Sequence, residues 1–79
     1  MNVGIKIMPR AVILDSQGRA IESSMLSNGF KLNSLRAGKF LEISLPQTNQ
    51  VEAQIEIEKM LHEGGLYNPL IEKYEIYFN

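Results

Sequence analysis

The sequence contains no cysteine, no tryptophan and a single histidine among its 79 residues. The absence of cysteine excludes a disulfide framework, a thiolate nucleophile and any cysteine-ligated zinc or iron–sulfur site. A small chain without disulfides is typical of a reducing compartment, so we expect a cytoplasmic protein. His62 with Glu58 supplies at most two ligands from one helix, which is too few for a metal site. The sequence therefore predicts no catalytic residues, no metal and no cofactor held by this chain.

Long apolar runs and an excess of one charge are also missing. The longest aliphatic run covers residues 11–14, whereas a membrane helix needs about 20 residues. The chain has eight basic and nine acidic residues, which give a formal net charge of −1. This balance argues against nucleic acid or an anionic membrane surface as a partner. Residues 1–79 are long enough for one domain with a modest core, which oligomerisation would help to stabilise.

The hydrophobic pattern predicts an α+β fold with the order β-α-β-β-α-β. Alternation and capping signals place strands at 3–7 (extending through 11–14), 31–36, 40–45 and 71–78. They place helices at about 17–28 and from a cap at Thr48 or Asn49 to about 63. Asp15 and Ser16 provide the N-cap signal of the first helix, and Asn49 or Thr48 that of the second. Two helices on one face of an antiparallel sheet form a ferredoxin-like arrangement.

Several apolar side chains remain outside the predicted core. Val51 and Ile55 lie opposite the core stripe of the second helix, and Phe40 and Tyr77 point away from it on their strands. A sheet with both helices on one face leaves the other face bare, so we expect an oligomer to cover it. Scattered surface hydrophobes on a monomer are the alternative.

Two polar segments could contact a partner, but the sequence explains each of them equally well as a simple turn. Lys31, Arg36 and Lys39 lie near a bend at Gly38, where an acidic partner could bind. A hairpin turn with solvated basic flanks explains the same residues equally well. Asn68 and the proline after it are equally typical of a simple turn.

Three separated segments resemble signatures of the PurS family, the small subunit of formylglycinamidine ribonucleotide (FGAM) synthase. Residues 14–20 read L-D-S-Q-G-R-A against the family's L-D-P-Q-G-x-A, and residues 36–39 match its R-x-G-K bend. Residues 68–76 are similar to its N-P-x-I-E-x-Y-x-I terminus. Two departures are Ser16 in place of the proline and Gly64-Gly65 in place of a continuous helical stretch.

The resemblance implies a non-catalytic subunit of an enzyme complex in purine biosynthesis. In such a complex the PurL synthetase subunit uses ATP and Mg²⁺, and the PurQ glutaminase subunit releases ammonia from glutamine. PurS, a homodimer or tetramer, bridges the two and helps ammonia to pass. The residues that the resemblance nominates for subunit or partner contacts are Asp15, Gln17, Gly18, Arg36, Gly38, Lys39 and Asn68.

Two other classes of function share this element order. A free-standing ACT-like module would bind a small molecule, and calorimetric binding of an amino acid to the isolated chain would favour it. A stand-alone ferredoxin-like enzyme needs a polar constellation at a strand end, for which Arg10 with Asn68 is the nearest match.

Overall fold

A computed structural model describes residues 1–78 of the chain. Its elements are β1 (Asn2–Pro9), α1 (Ser16–Ser27), β2 (Lys39–Ser44), α2 (Gln50–His62) and β3 (Glu72–Phe78). The three strands form one antiparallel sheet in the order β2-β1-β3. The predicted α+β class, with an antiparallel sheet and two helices, is therefore confirmed. None of the described helices is long and apolar enough to cross a bilayer.

The core lies between the sheet and α2. Every second residue of the central strand β1 points to this side, and Val3, Ile5 and Ile7 are almost completely buried. Ala53, Ile57 and Leu61 bury the facing side of α2, as the 3.6-residue period predicts. Residues of β2 and β3 in the same phase, among them Leu41, Ile43, Tyr74 and Ile76, pack around these six side chains. The predicted core stripes of β1, α2 and β3 are confirmed.

The opposite face of the sheet carries no helix from the described residues. Phe40 and Tyr77 lie there, 55% and 44% exposed, with ring centroids 6.2 Å apart. The Phe40 ring lies over Gly4, where an added Cβ would be 2.5 Å from Cζ of that ring. The bare, partly aromatic face expected from the sequence is thus present in the single chain.

Two predicted strand segments are not strands in this chain. Residues 11–14 form a turn, in which the Ile13 N–H donates to the Arg10 carbonyl oxygen at 3.0 Å. Val12 is 91% exposed, so this aliphatic run is not a continuation of β1. Residues 31–36 form neither helix nor strand, because no strand of the described chain lies beside them to complete a hydrogen-bonded ladder.

Helix α1 adds nothing to the core described above. Of its residues only Gly18 is buried, and within residues 1–78 no α1 side chain joins the core cluster. The expectation of two helices over one face therefore holds for α2 but not for α1. The radius of gyration is 15.7 Å, against about 12 Å expected for a compact chain of this length. The excess reflects an elongated molecule, 47 Å along its longest axis.

Candidate functional site

The three sequence motifs meet at one end of the sheet. They surround a cavity of about 360 Å³, which we call the corner. Its walls come from the end of β1, the start of α1, the bend before β2 and the start of β3; they include Ile7, Pro9, Leu14, Asp15, Gln17, Gly38, Lys39, Ile71 and Glu72. Residues as far apart in the sequence as Ile7 and Glu72 are therefore neighbours in space.

Asp15 connects α1 to the bend that precedes β2. One carboxylate oxygen accepts a hydrogen bond from the Gly18 N–H at 2.9 Å, and the other accepts one from the Ala37 N–H at 2.7 Å. The first bond is an N-cap, as the sequence predicts. The second joins residues 22 positions apart. We call this pair of bonds the Asp15 latch.

Position 18 must be glycine because the Asp15 carboxylate and the Ala37 backbone lie too close to it for a side chain. An added Cβ at Gly18 would overlap the Asp15 carboxylate and lie 2.8 Å from the Ala37 nitrogen. Contacts that close are not seen for real Cβ atoms, so any larger residue would displace the latch. The glycine of the L-D-S-Q-G-R-A motif is therefore explained by packing within the chain.

The latch stabilises the charged form of its carboxyl group. Hydrogen bonds from the N–H groups of Ala37 and Gly18, in that order, hold the pKa of Asp15 below its ordinary value of 3.8. Partial desolvation opposes them, and the positive charge of Arg36 adds a smaller lowering of the same pKa. Asp15 is thus a carboxylate at neutral pH, with both oxygens accepting backbone hydrogen bonds.

Arg36 and Gly38 fix the bend against β1. The Arg36 guanidinium donates to the carbonyl oxygens of Pro9 and Arg10, the latter at 2.9 Å. A Cβ on Gly38 would overlap the Met8 sulfur and lie 2.5 Å from the Ile7 carbonyl oxygen. The R-x-G-K bend therefore lies directly on the end of the central strand.

The third motif is tied to the same strand end through Arg10. Its guanidinium donates to the Pro69 carbonyl oxygen at 3.0 and 2.9 Å, and its backbone N–H donates to the Ile71 carbonyl oxygen. Asn68 forms a local turn, in which its side-chain oxygen accepts from the Leu70 N–H at 3.0 Å. Its own N–H donates to the Glu72 carboxylate at 2.7 Å. Asn68 thus adjoins the corner through Arg10 and Ile71 rather than lining it.

Two of the seven nominated residues keep exposed side chains on the cavity wall. Gln17, in the first turn of α1, and Lys39, at the start of β2, line the corner and are solvent-exposed. Asp15, Arg36 and Asn68 each form side-chain hydrogen bonds within the chain, and the two glycines permit close packing. Gln17 and Lys39 are therefore the nominated side chains best placed to contact another molecule.

Sequence reasoning missed two residues that hold the corner. The sequence suggests a role for Arg10 only in an enzyme site, yet this residue connects β1 to the third motif. Glu22, on α1, accepts a hydrogen bond from the Leu35 N–H at 2.9 Å and so holds the segment that follows the helix. No sequence signal identifies either bond, because both cross between segments whose relative position is set by the fold.

The lone histidine belongs to an aromatic cluster. His62 contacts Tyr67 and Tyr74 edge-on, with centroids 5.7 and 6.1 Å away, and the two tyrosine rings are 4.9 Å apart. Gly65, with a positive φ of 73°, lies two residues beyond the Glu63 C-cap of α2, and Leu66 and Tyr67 after it pack against the core. In residues 1–78 no three His, Asp or Glu side chains are placed to hold a metal ion.

A sequence model of one family matches this chain over nearly its full length. The model is "PurS: Phosphoribosylformylglycinamidine (FGAM) synthase", and it covers residues 2–79. Among curated proteins no sequence matches.

Solved structures agree with the family match. PurS of Thermus thermophilus is 32% identical, with a TM-score of 0.80 over 99% of this chain and 95% of that one. The PurS subunit of phosphoribosylformylglycinamidine synthase from Thermotoga maritima is 27% identical, with a TM-score of 0.87 over 96% and 87%. A chain of PurLQS from the same organism is 27% identical, with a TM-score of 0.85 over 96% and 93%. The chain described here belongs to the PurS family.

Proposed function

We propose that this chain is the PurS subunit of FGAM synthase, which converts formylglycinamide ribonucleotide to FGAM with ATP and glutamine. It bridges the PurL synthetase and the PurQ glutaminase and assists the transfer of ammonia between them. The family match over residues 2–79 and the similarity to a chain of PurLQS support this role. The match carries the proposal, because it spans all three motifs that meet at the corner.

The hydrogen bonds that the motif residues form within the chain support a non-catalytic role. Asp15, Arg36 and Asn68 each form side-chain hydrogen bonds with backbone atoms of the same chain, so they hold the corner together. A general base or an anion site needs polar groups free to meet a substrate. We assign ATP and Mg²⁺ to the synthetase subunit, no cofactor to this chain, and the complex to the cytoplasm.

Self-association is the second part of the proposal. The sheet face that bears Phe40 and Tyr77 is open in the single chain, and these rings lie side by side on it. A chain of 79 residues has a small core, and covering this face would bury further apolar surface. A second copy offers the same face, so two copies can cover each other in a homodimer, and two such dimers can form a tetramer.

Assembly with purified partners tests the corner as a contact surface. Arg36→Ala combined with Lys39→Ala is expected to weaken co-elution with the PurL and PurQ subunits, because it removes the bend's anchor and its exposed cation. Lys59→Ala removes an exposed cation of α2 that does not line the corner, and it serves as the matched control. If the double variant assembles and supports glutamine-dependent FGAM formation as well as the control does, the corner is not the contact surface.

A further inference from the structure

The corner lies on the core side of the sheet, at an end that α2 does not cover. In the sheet register Lys39 pairs with Ile7 on one side of β1, and Glu72 pairs with Pro9 on the other side. Directly opposite residues of an antiparallel pair point to the same face, so these four side chains share the face that bears the core. Among the described residues none from α2 lines the corner. This end of the core side is therefore open to a ligand.

Two opposite charges line the corner without pairing with each other. Lys39 is exposed, Glu72 is half-buried, and within residues 1–78 neither forms an ion pair. One Glu72 oxygen accepts a hydrogen bond from the Asn68 N–H, which leaves the carboxylate a second oxygen for another donor. The strands that bear the two charges are separated by β1, so they lie two strand spacings, about 10 Å, apart. A molecule that carries both a carboxylate and an ammonium group can therefore pair with both side chains.

Apolar side chains form much of the rest of the corner's wall. Leu14 and Ile71 line it and are 67% and 41% exposed, so an aliphatic group of a ligand would remove apolar surface from water there. Pro9 and the buried Ile7 extend this wall. The volume of about 360 Å³ lies within the range of roughly 300–1,000 Å³ that is typical of small-molecule sites. The corner thus combines an apolar wall with one group of each charge.

We propose that the corner binds a free α-amino acid with an aliphatic side chain. The ligand's carboxylate faces the Lys39 ammonium, and its own ammonium group faces the Glu72 carboxylate. Its side chain lies against Leu14 and Ile71, and the exposed amide of Gln17 on the same wall is a further donor for the carboxylate. A simple anion would be repelled by Glu72 and a simple cation by Lys39, so a zwitterion matches the site better than either. This binding is additional to the proposed role in FGAM synthase and does not depend on it.

Titration of the full chain with leucine, followed by amide NMR, tests the site. The amide signals of Gln17 and Gly38, which line the corner, are expected to shift until the site is saturated. The signal of Gly65, which does not line the corner, should stay in place. Free glycine is expected to bind about tenfold more weakly than leucine, because it has no side chain to cover the apolar wall. Isocaproate lacks the amine of leucine and isoamylamine lacks its carboxylate, and each should bind about threefold more weakly than leucine.

Two variants assign each ligand group to its partner. Lys39→Gln should remove the preference for leucine over isoamylamine, because the ligand carboxylate then meets no cation. Glu72→Gln should remove the preference for leucine over isocaproate, and it keeps an oxygen for the Asn68 N–H. Lys59→Gln, at an exposed position of α2 that does not line the corner, is the matched control and should keep both preferences. An amide spectrum that is unchanged outside the corner shows that each variant folds.

Three results would overturn the amino-acid site. Leucine that shifts neither corner amide would show that the corner is not a binding site. Leucine that binds no more tightly than its two analogues would show that the paired charges select nothing. Preferences that survive in Lys39→Gln and Glu72→Gln would place the ligand elsewhere. None of these results bears on the role in FGAM synthase, which fails separately if the complex works equally well without this chain.

Discussion

The Asp15 carboxylate accepts a hydrogen bond from the Ala37 N–H at 2.7 Å and so joins the first and second sequence motifs. The same carboxylate caps α1 through the Gly18 N–H. One side chain therefore sets both where the helix begins and where the bend before β2 lies. The position of α1 and the shape of the corner depend on this residue.

Replacing the carboxylate should open the latch. Asp15→Ala is expected to lower the free energy of unfolding clearly more than the control named below, because it removes the N-cap and leaves the Ala37 N–H without its partner. Chemical denaturation measures the change. Ser23→Ala, at an exposed position of the same helix, should stay within about 0.5 kcal/mol of the original chain. Equal effects of the two variants would show that the latch contributes no stability.

Gly18→Ala is expected to lower the stability of the chain, which is the opposite of its usual effect in a helix. In an exposed helix interior this substitution normally stabilises by up to about 1 kcal/mol. Here the new Cβ would overlap the Asp15 carboxylate, so we expect a loss of about 1–3 kcal/mol. Ser24→Ala on the same helix is the control for helix propensity alone. A stabilised Gly18→Ala chain would contradict the close packing described for the latch.

The latch should weaken in acid. The pKa of Asp15 is depressed in the folded chain, so its contribution to stability is complete above the ordinary value of 3.8. That contribution falls as the pH drops below about 4 and is lost below the folded pKa. The difference in unfolding free energy between the original chain and Asp15→Asn should therefore shrink between pH 5 and pH 3. A difference that is constant over this range would exclude an ionised latch.

Phe40 tests whether the open face of the sheet mediates self-association. Phe40→Ser should raise the dissociation constant of self-association more than about tenfold, because a phenyl ring no longer leaves water on association. Its effect on the single chain should be small, since Phe40 is 55% exposed there. Glu42→Ser, on the same strand and face, is the matched control for sedimentation equilibrium. Equal dissociation constants for the two variants would place the interface elsewhere.

Most of the fold could be predicted from periodicity. The alternation of Val3, Ile5 and Ile7 and the stripe of Ala53, Ile57 and Leu61 are local patterns, and each matches the face that the chain buries. The prediction was wrong where the structure of a segment depends on a neighbouring strand. Residues 31–36 have a weak strand pattern, but β pairing needs a partner strand that a single described chain does not provide.

The candidate site was predictable in part. The motifs identified the residues that converge at the corner, and the N-cap role of Asp15 followed from its position before α1. Its bond to Ala37 could not be foreseen, because residues 22 positions apart come together only through the path of α1 and the segment that follows it. The same reason explains why Arg10, whose partners are Pro69 and Ile71, carried no sequence signal for its role.

Dependence of the complex on this chain tests the account most directly. PurL and PurQ subunits, with ATP, Mg²⁺ and formylglycinamide ribonucleotide, are assayed for FGAM formation from glutamine and from added ammonia, with and without this chain. The proposed role predicts that omission reduces glutamine-dependent formation to the level seen without the glutaminase, while ammonia-dependent formation continues. Glutamine-dependent formation that is unchanged without this chain would contradict the proposal that it bridges the two subunits.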